Sequence, residues 1–392
     1  MQPVRPSVER DFRCDVLVVG AGVTGALTAE HLASQGHDVC IIDRQRPGFG
    51  STAASTSMLM WEIDRSLSDL TLMYGFERAA NIYRRSFSAV SGLAELVNTH
   101  RLACGLRHKR SLYLAAGNVS ARELKAEHDL RARAGLPGDY LDHLTLLEEF
   151  GLYREAAIHS IGSADADPLL LCQALLNAAI SHGASIHDAS AEGYDNSGQA
   201  VVVELDNGHL IEAKHVVLAT GYIMPDFVTS SLHKISSSWA IATPPQSQGD
   251  LWRDGALIWE ASQNYCYART TPDNRIIIGG EDDDQAVEPE ARDKLMPAKA
   301  DALLHRLNGL WSQAEPVAEF TWSGTFGTTA DGLPLIGRVP GHPRIHAAYG
   351  YGGNGITYSY LASRMIAASI AGDDQLWFDD FAIDRDAPKL AA

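Results

Sequence analysis

The apolar and polar positions of this chain first fall into register at residues 15–20 (DVLVVG), a continuous apolar run that suits a parallel strand covered on both faces. Residues 26–35 follow with Leu27, Ala29, Leu32 and Ala33 at helical spacing, and Gly36 is a natural helix stop. Residues 37–43 (HDVCIID) form a second apolar strand closed by an acid. Further along, the spacing predicts a helix over 66–99, a strand over 107–116 and a helix over 120–134. Another helix is expected over 168–182, capped by Asp167 and ended by Gly183. From residue 184 to 222 the period shortens to two, with turns at Asn196-Ser197-Gly198 and Asp206-Asn207-Gly208, so a small antiparallel meander is predicted, closing on a buried strand at 215–221. Residues 265–269 and 275–280 read as strands, and 290–310 as a helix.

The first strand and helix are joined by Gly20, Gly22 and Gly25, a G-x-G-x-x-G run, and Asp43 stands 23 positions after the first of them. A pyrophosphate needs bare backbone N–H groups at a helix N-terminus, and an acid at that distance accepts from ribose hydroxyls. Strand, glycines, helix, strand and acid in that order predict dinucleotide binding, FAD and NAD being undistinguished by this unit. Residues 51–59 are small and hydroxylated, able to lie flat against a cofactor. A second glycine turn, residues 350–355, precedes a helix starting near Ile356, whose positive end suits a developing negative charge.

Length and composition narrow the setting. At 392 residues, with 45% apolar and 21% charged, the chain is a folded globular protein of two domains or of one interrupted by an insertion. Its formal charge of -17 repels phosphate backbones, so no nucleic-acid partner is expected. Cys14, Cys40, Cys104, Cys172 and Cys266 form no CxxC pair, which suggests a reducing compartment and a cytoplasmic location. Residues 1–13 are polar and no run of 18 apolar residues occurs, so neither a signal peptide nor a transmembrane segment is expected. The histidines lack an HExxH pattern, and His342 and His346 enclose Pro343 beside a predicted strand; no metal centre is expected. No G-x-S-x-G elbow precedes a helix.

Five segments together resemble the FAD-dependent oxidases and dehydrogenases related to D-amino-acid oxidase, glycine oxidase, sarcosine oxidase and gamma-glutamylputrescine oxidase. They are VVGAGVTGALTAEHLASQGHDVCIID, TAASTSML, VVLATGY, WSGTFGTTADGLPLIGR and GYGGNGIT, in this order nearly end to end. The resemblance implies an α/β fold of glutathione-reductase type: a Rossmann-like FAD-binding domain from residues 1–75, 150–225 and 320–392, with a mixed-sheet substrate domain from 76–149 and 226–319. It implies FAD, held through Gly20, Gly22, Val23, Thr24, Gly25, Asp43 and Arg44, through Ser51, Thr52, Ser55, Thr56, Ser57 and Met58, through Thr220 and Gly221, and through Gly353, Asn354, Gly355, Ile356 and Thr357 at the flavin pyrimidine. The family oxidises a C–H bond next to an amine nitrogen by hydride transfer to flavin, the imine being hydrolysed; oxygen or another acceptor reoxidises the flavin.

Two departures refine this. In amino-acid-oxidising relatives an arginine follows W-x-G and clamps the substrate carboxylate; here that place is Phe326, which favours an amine or N-substituted amine. Residues 322–341 hold no cysteine, so FAD is expected to be noncovalent. On the substrate side, Tyr265 and Tyr267 alternate on one strand beside Arg269 and face one way, and with Phe326 they are the candidate pocket residues. Trp239, Trp259 and Trp322 are candidates for an apolar wall, and Glu62 reads either as an ammonium ligand or as a surface carboxylate. The alternatives are a glycine or D-amino-acid oxidase, a quinone-linked amino-acid dehydrogenase, and a flavin-binding module without turnover. Sequence leaves the oligomeric state unknown.

Overall fold

The structure is a computed structural model describing residues 5–285 and 288–386. Two sheets organise it. The first has eight strands, and its spine is five parallel strands in the order His342–Tyr349, Leu210–Leu218, Phe12–Val19, Val39–Asp43 and Ser185–Asp188. Val16 pairs with Val39 and with His215, and Val16, Leu17 and Val18 are wholly buried, as a strand sandwiched between two layers requires. One face is covered by helices Val23–Ser34, Pro168–Ser181 and Gly355–Ala371. The other is covered by a meander in which Val201–Leu205 lies antiparallel to the first half of Leu210–Leu218 and Ala191–Asp195 antiparallel to Val201–Leu205.

The second sheet has nine strands, with Phe320–Thr329, His233–Ala242, Ile276–Asp283, Cys266–Thr270, Leu257–Ala261, Arg107–Ala115, Ala156–Asp165 and Met58–Leu59 in sequence across it. Asp139–Asp142 pairs beside Ala156–Asp165. Helix Pro289–Leu310 packs on the sheet through Leu303, Leu307 and Leu310, closing a separate core around Trp239, Ile241 and Ile278. The α/β class and the mixed second sheet are those expected. Residues 1–4 and 387–392 of the expected cofactor portion lie outside the described residues. Within that portion, Ala156–Asp165 and Phe320–Thr329 hydrogen-bond in the nine-stranded sheet, so the chain crosses between the two layers there.

Local chemistry accounts for most element ends. Asp167 caps Pro168–Ser181, accepting the N–H groups of Leu169 and Leu170 at 2.9 Å each. Ser120 and Glu123 make a reciprocal cap on helix Ala121–Arg133. The single helix expected over 66–99 is two, Leu67–Tyr74 and Phe76–Thr99, because Gly75 sits at φ 80 and breaks the ladder. The meander is also smaller than expected. Ser185–Asp188 emerges from helix Pro168–Ser181, and a strand reached by a helical crossover joins the parallel sheet.

Candidate functional site

A cavity of about 830 Å³ opens at the carboxyl ends of the parallel strands and runs beneath the second sheet. Its entrance is shaped by the first glycine turn. Gly20 has φ +108, and a β-carbon there would stand 2.4 Å from the Ala219 carbonyl oxygen. One on Gly25 would stand 1.8 Å from the Gly20 carbonyl oxygen, so Gly25 packs helix onto turn and does not itself line the cavity. Gly22, Val23 and Thr24 do line it. Asp43 ends its strand there, its two carboxylate oxygens accepting from the N–H groups of Ala21 (2.7 Å) and Gln45 (2.8 Å), and each oxygen keeps a second lone pair.

Residues 51–58 form one wall and are fastened from three sides. Thr52 Oγ1 accepts the Val23 N–H at 3.1 Å, at the start of the first helix. The second sheet supplies Trp322, whose indole N–H donates to the Ala54 carbonyl at 3.0 Å, and Thr325, whose carbonyl accepts from Ser51 Oγ at 3.3 Å. Arg269 Nε donates to the Thr56 carbonyl. Its guanidinium is buried beside Asp165, 3.5 Å away, and Asp165 is itself held by Arg107 at 2.9 and 2.5 Å. Ser57 is consequently kept at φ 56, nearly buried, with Oγ unpartnered. A non-glycine backbone so placed is strained.

The last glycine turn forms the opposite wall. Asn354 Nδ2 donates to the carbonyls of Met60 and Glu62 at 3.1 and 2.8 Å, and Thr357 Oγ1 donates to Met60 at 2.9 Å. Helix Gly355–Ala371 is thereby fastened to the segment following the 51–58 wall. Thr357 is spent on that contact and does not line the cavity; Gly353, Asn354, Gly355 and Ile356 do. Thr220 and Gly221 line it from the end of Leu210–Leu218.

Under the second sheet the walls are aromatic: Tyr265, Tyr267, Trp239, Trp259, Trp322 and Phe326. The two tyrosine rings lie 6.2 Å apart, and Tyr265 donates its hydroxyl to Asp282 at 2.9 Å. Burial pushes the Tyr267 hydroxyl up to about 12 and Tyr265 well above its ordinary value, so both are neutral donors at physiological pH. Arg269 does not share their space, being turned to Thr56 and Asp165. Glu62 is no surface carboxylate. It is 2% exposed, lines the cavity and accepts from Ser111 and, at 3.4 Å, from Ser163. His342 packs on Phe227 and His346 on His215, apart from one another. No helix among the described residues is long and apolar enough to cross a membrane.

Sequence reasoning missed residues 189–194 and 222–227, which line the dinucleotide end, and Asp64 at the other. The first group had one signal. Asp43 pairs in register with Asp188, so reading Ser185–Asp188 as a parallel strand would have put residue 189 at the cavity edge.

A parallel sheet whose first βαβ turn opens into a cavity roofed by a second sheet defines a dinucleotide-binding class of fold. The family profile described as FAD-dependent oxidoreductase (DAO) matches residues 15–369, and the chain belongs to that family. It is 27% identical to gamma-glutamylputrescine oxidoreductase of Escherichia coli K12, over 96% of this chain and 88% of the relative. It is 28% identical to glycine oxidase of Geobacillus kaustophilus, over 91% and 92%. The crystal structure of glycine oxidase from Geobacillus kaustophilus shares the fold, with a TM-score of 0.78 at 24% identity, covering 96% of this chain and 99% of that one. So does L-proline dehydrogenase from P. horikoshii, at 0.77 and 18%, covering 97% and 98%.

Proposed function

We propose that this oxidoreductase holds FAD noncovalently along the cavity and oxidises a C–H bond beside the nitrogen of an amine or N-substituted amine. The donor set fits the cofactor. Bare turns stand at both ends, Asp43 keeps acceptor capacity where a ribose would lie, and the unpartnered Ser57 Oγ is buried in the wall between. The residues named from the resemblance are assigned these contacts, Gly25 and Thr357 acting through packing and bracing. FAD, when bound, supplies the hydride acceptor. What the chain supplies is orientation, a dry aromatic enclosure and charge.

The observation that carries the substrate class is Phe326. It lines the cavity and stands at the sequence position where the resemblance expects a carboxylate-clamping arginine, and among the described lining residues the basic side chain is Arg44, beside Asp43 at the dinucleotide end. Glu62 and Asp64 face the cavity instead, a setting that favours a cation over an anion. Tyr265, Tyr267 and Phe326 enclose the reacting carbon in this reading, and water entering behind the product hydrolyses the imine. We assign residues 1–75, 150–225 and 320–392 to the cofactor portion and 76–149 and 226–319 to the substrate portion. We place the enzyme in the cytoplasm, which its five buried, unpaired thiols support.

The test is direct. Purified protein is expected to be yellow, acid precipitation to leave the flavin in the supernatant, and amines to bleach it without oxygen. Flavin retained in the pellet defeats noncovalent binding, and bleaching by glycine or D-amino acids alone defeats the inference from Phe326. Peroxide formed during turnover assigns oxygen as the acceptor; turnover only with a quinone assigns a dehydrogenase.

A further inference from the structure

We propose that Asp64 sets the charge at the flavin's pyrimidine edge: its carboxylate, seated on the glycine turn that opens helix Gly355–Ala371, opposes the build-up of negative charge on the bound ring. The inference rests on the reading above that this turn meets the pyrimidine. Asp64 Oδ2 accepts the Gly353 N–H at 2.7 Å. A β-carbon on Gly352 would stand 2.1 Å from Oδ2, and one on Gly353 2.8 Å from Oδ1. The carboxylate thus rests on two bare α-carbons, in the cradle that side chains would fill, and the same carboxylate lines the cavity beside residues 352–356.

The electrostatic consequence follows from size. The first turn of a helix carries about half a positive charge, and one carboxylate more than cancels it. A helix end that would otherwise favour an anionic ring therefore becomes net negative. The groups around Asp64 do not offset this. Arg65 beside it favours the charged form but sends its guanidinium to the Ala330 carbonyl at 3.1 Å. Asp282, from strand Ile276–Asp283, repels it; Tyr265, Tyr113 and Tyr358 are neutral phenols within its field. Asp64 is open to the cavity yet crowded by protein atoms on its other sides; that desolvation, opposed by the Gly353 N–H, and the Asp282 charge push its carboxyl up to about 6. It is therefore mostly ionised near pH 7.5 and mostly protonated near pH 5.

Sulfite reads this charge without turnover. Its sulfur lone pair adds reversibly to flavin N5; the isoalloxazine takes up the electron pair, the negative charge spreads over the pyrimidine, and the long-wavelength flavin band bleaches. Asp64→Asn keeps an oxygen for the Gly353 N–H and removes only the charge. Holoprotein carrying it is expected to bind sulfite roughly tenfold or more tightly than wild type near pH 7.5, with the gap closing near pH 5. Asp64→Glu should resemble wild type. Equal sulfite affinity of wild type and Asn variant near pH 7.5, both carrying FAD, overturns the proposal. Should the Asn variant lose FAD, Asp64→Ser decides: it too lacks the charge and should bind sulfite more tightly than wild type near pH 7.5, and equal affinity overturns the proposal. A colourless wild-type protein unable to take up FAD defeats the flavin reading itself, a different result from either.

Discussion

Asp165 supports the cavity wall from beneath, and removing its charge should be costly in a way that can be calculated. The carboxylate is 1% exposed and lies between two guanidinium groups, Arg107 at 2.9 and 2.5 Å and Arg269 at 3.5 Å. Asp165→Asn leaves two like charges facing each other with no anion between them. Breaking a buried pair by removing one partner costs about 3–5 kcal/mol, or roughly two to four powers of ten in the folding constant. Arg269→Met removes one of the two cations, leaves Asp165 paired with Arg107 and deprives the Thr56 carbonyl of its donor, at about 1–3 kcal/mol. With Met at 269 only one cation remains, so the double variant should cost less than the sum of the singles. Urea unfolding of the holoprotein, followed in parallel by circular dichroism and by flavin release, measures both effects. Flavin release should shift at least as far as global unfolding in both variants, because Arg269 holds the loop at Thr56. An Asn variant within about 1 kcal/mol of wild type, or a Met variant that costs more than the Asn one, refutes the reasoning.

Other consequences are simpler to check. Gly25→Ala puts a methyl 1.8 Å from the Gly20 carbonyl oxygen; helix and strand must part, so the protein should purify without FAD and melt early. Gly36→Ala meets nothing within 4 Å and suffers only its φ of +89, about 1 kcal/mol, so it should keep FAD; wild-type FAD content in both variants contradicts the packing account. His346 is wholly buried with both ring nitrogens unpartnered, and burial lowers its pKa to about 3 from the usual 6.5. The unfolded chain takes up a proton below pH 6.5 that the native one refuses until about 3, so this ring's share of stability is lost as pH falls through that window. His346→Leu should flatten the fall in melting temperature between pH 6.5 and 4, and an unchanged slope argues against a neutral buried imidazole.

Much of the cofactor layer was legible because its signals are local. Residues 15–43 declare strand, turn, helix and strand through apolar period and glycine placement, and Asp167 and Ser120 declare helix starts through short-range hydrogen bonds. The second sheet was less legible. Ala156–Asp165 and Leu257–Ala261 have local partners in Asp139–Asp142 and Cys266–Thr270, but they are joined into one sheet through Arg107–Ala115, far from Leu257–Ala261 in sequence, and nothing near either segment marks that distant pairing. The same limit applies to the site. Glu62 and Arg269 look like exposed charges until Ser111, Asp165 and Thr56 are brought beside them by the fold. The strand Ser185–Asp188 could not be separated from the meander strand Ala191–Asp195 that follows, because both are short.

The bracing of Met60 and Glu62 by Asn354 and Thr357 has a bearing on biosynthesis. A nascent chain on the ribosome can assemble the glycine-rich turn near its beginning early, yet the far wall is supplied only when residues beyond 350 have left the exit tunnel. Completion of the cavity therefore waits for those residues, and a polypeptide arrested before that point would present its unfinished interior to chaperones.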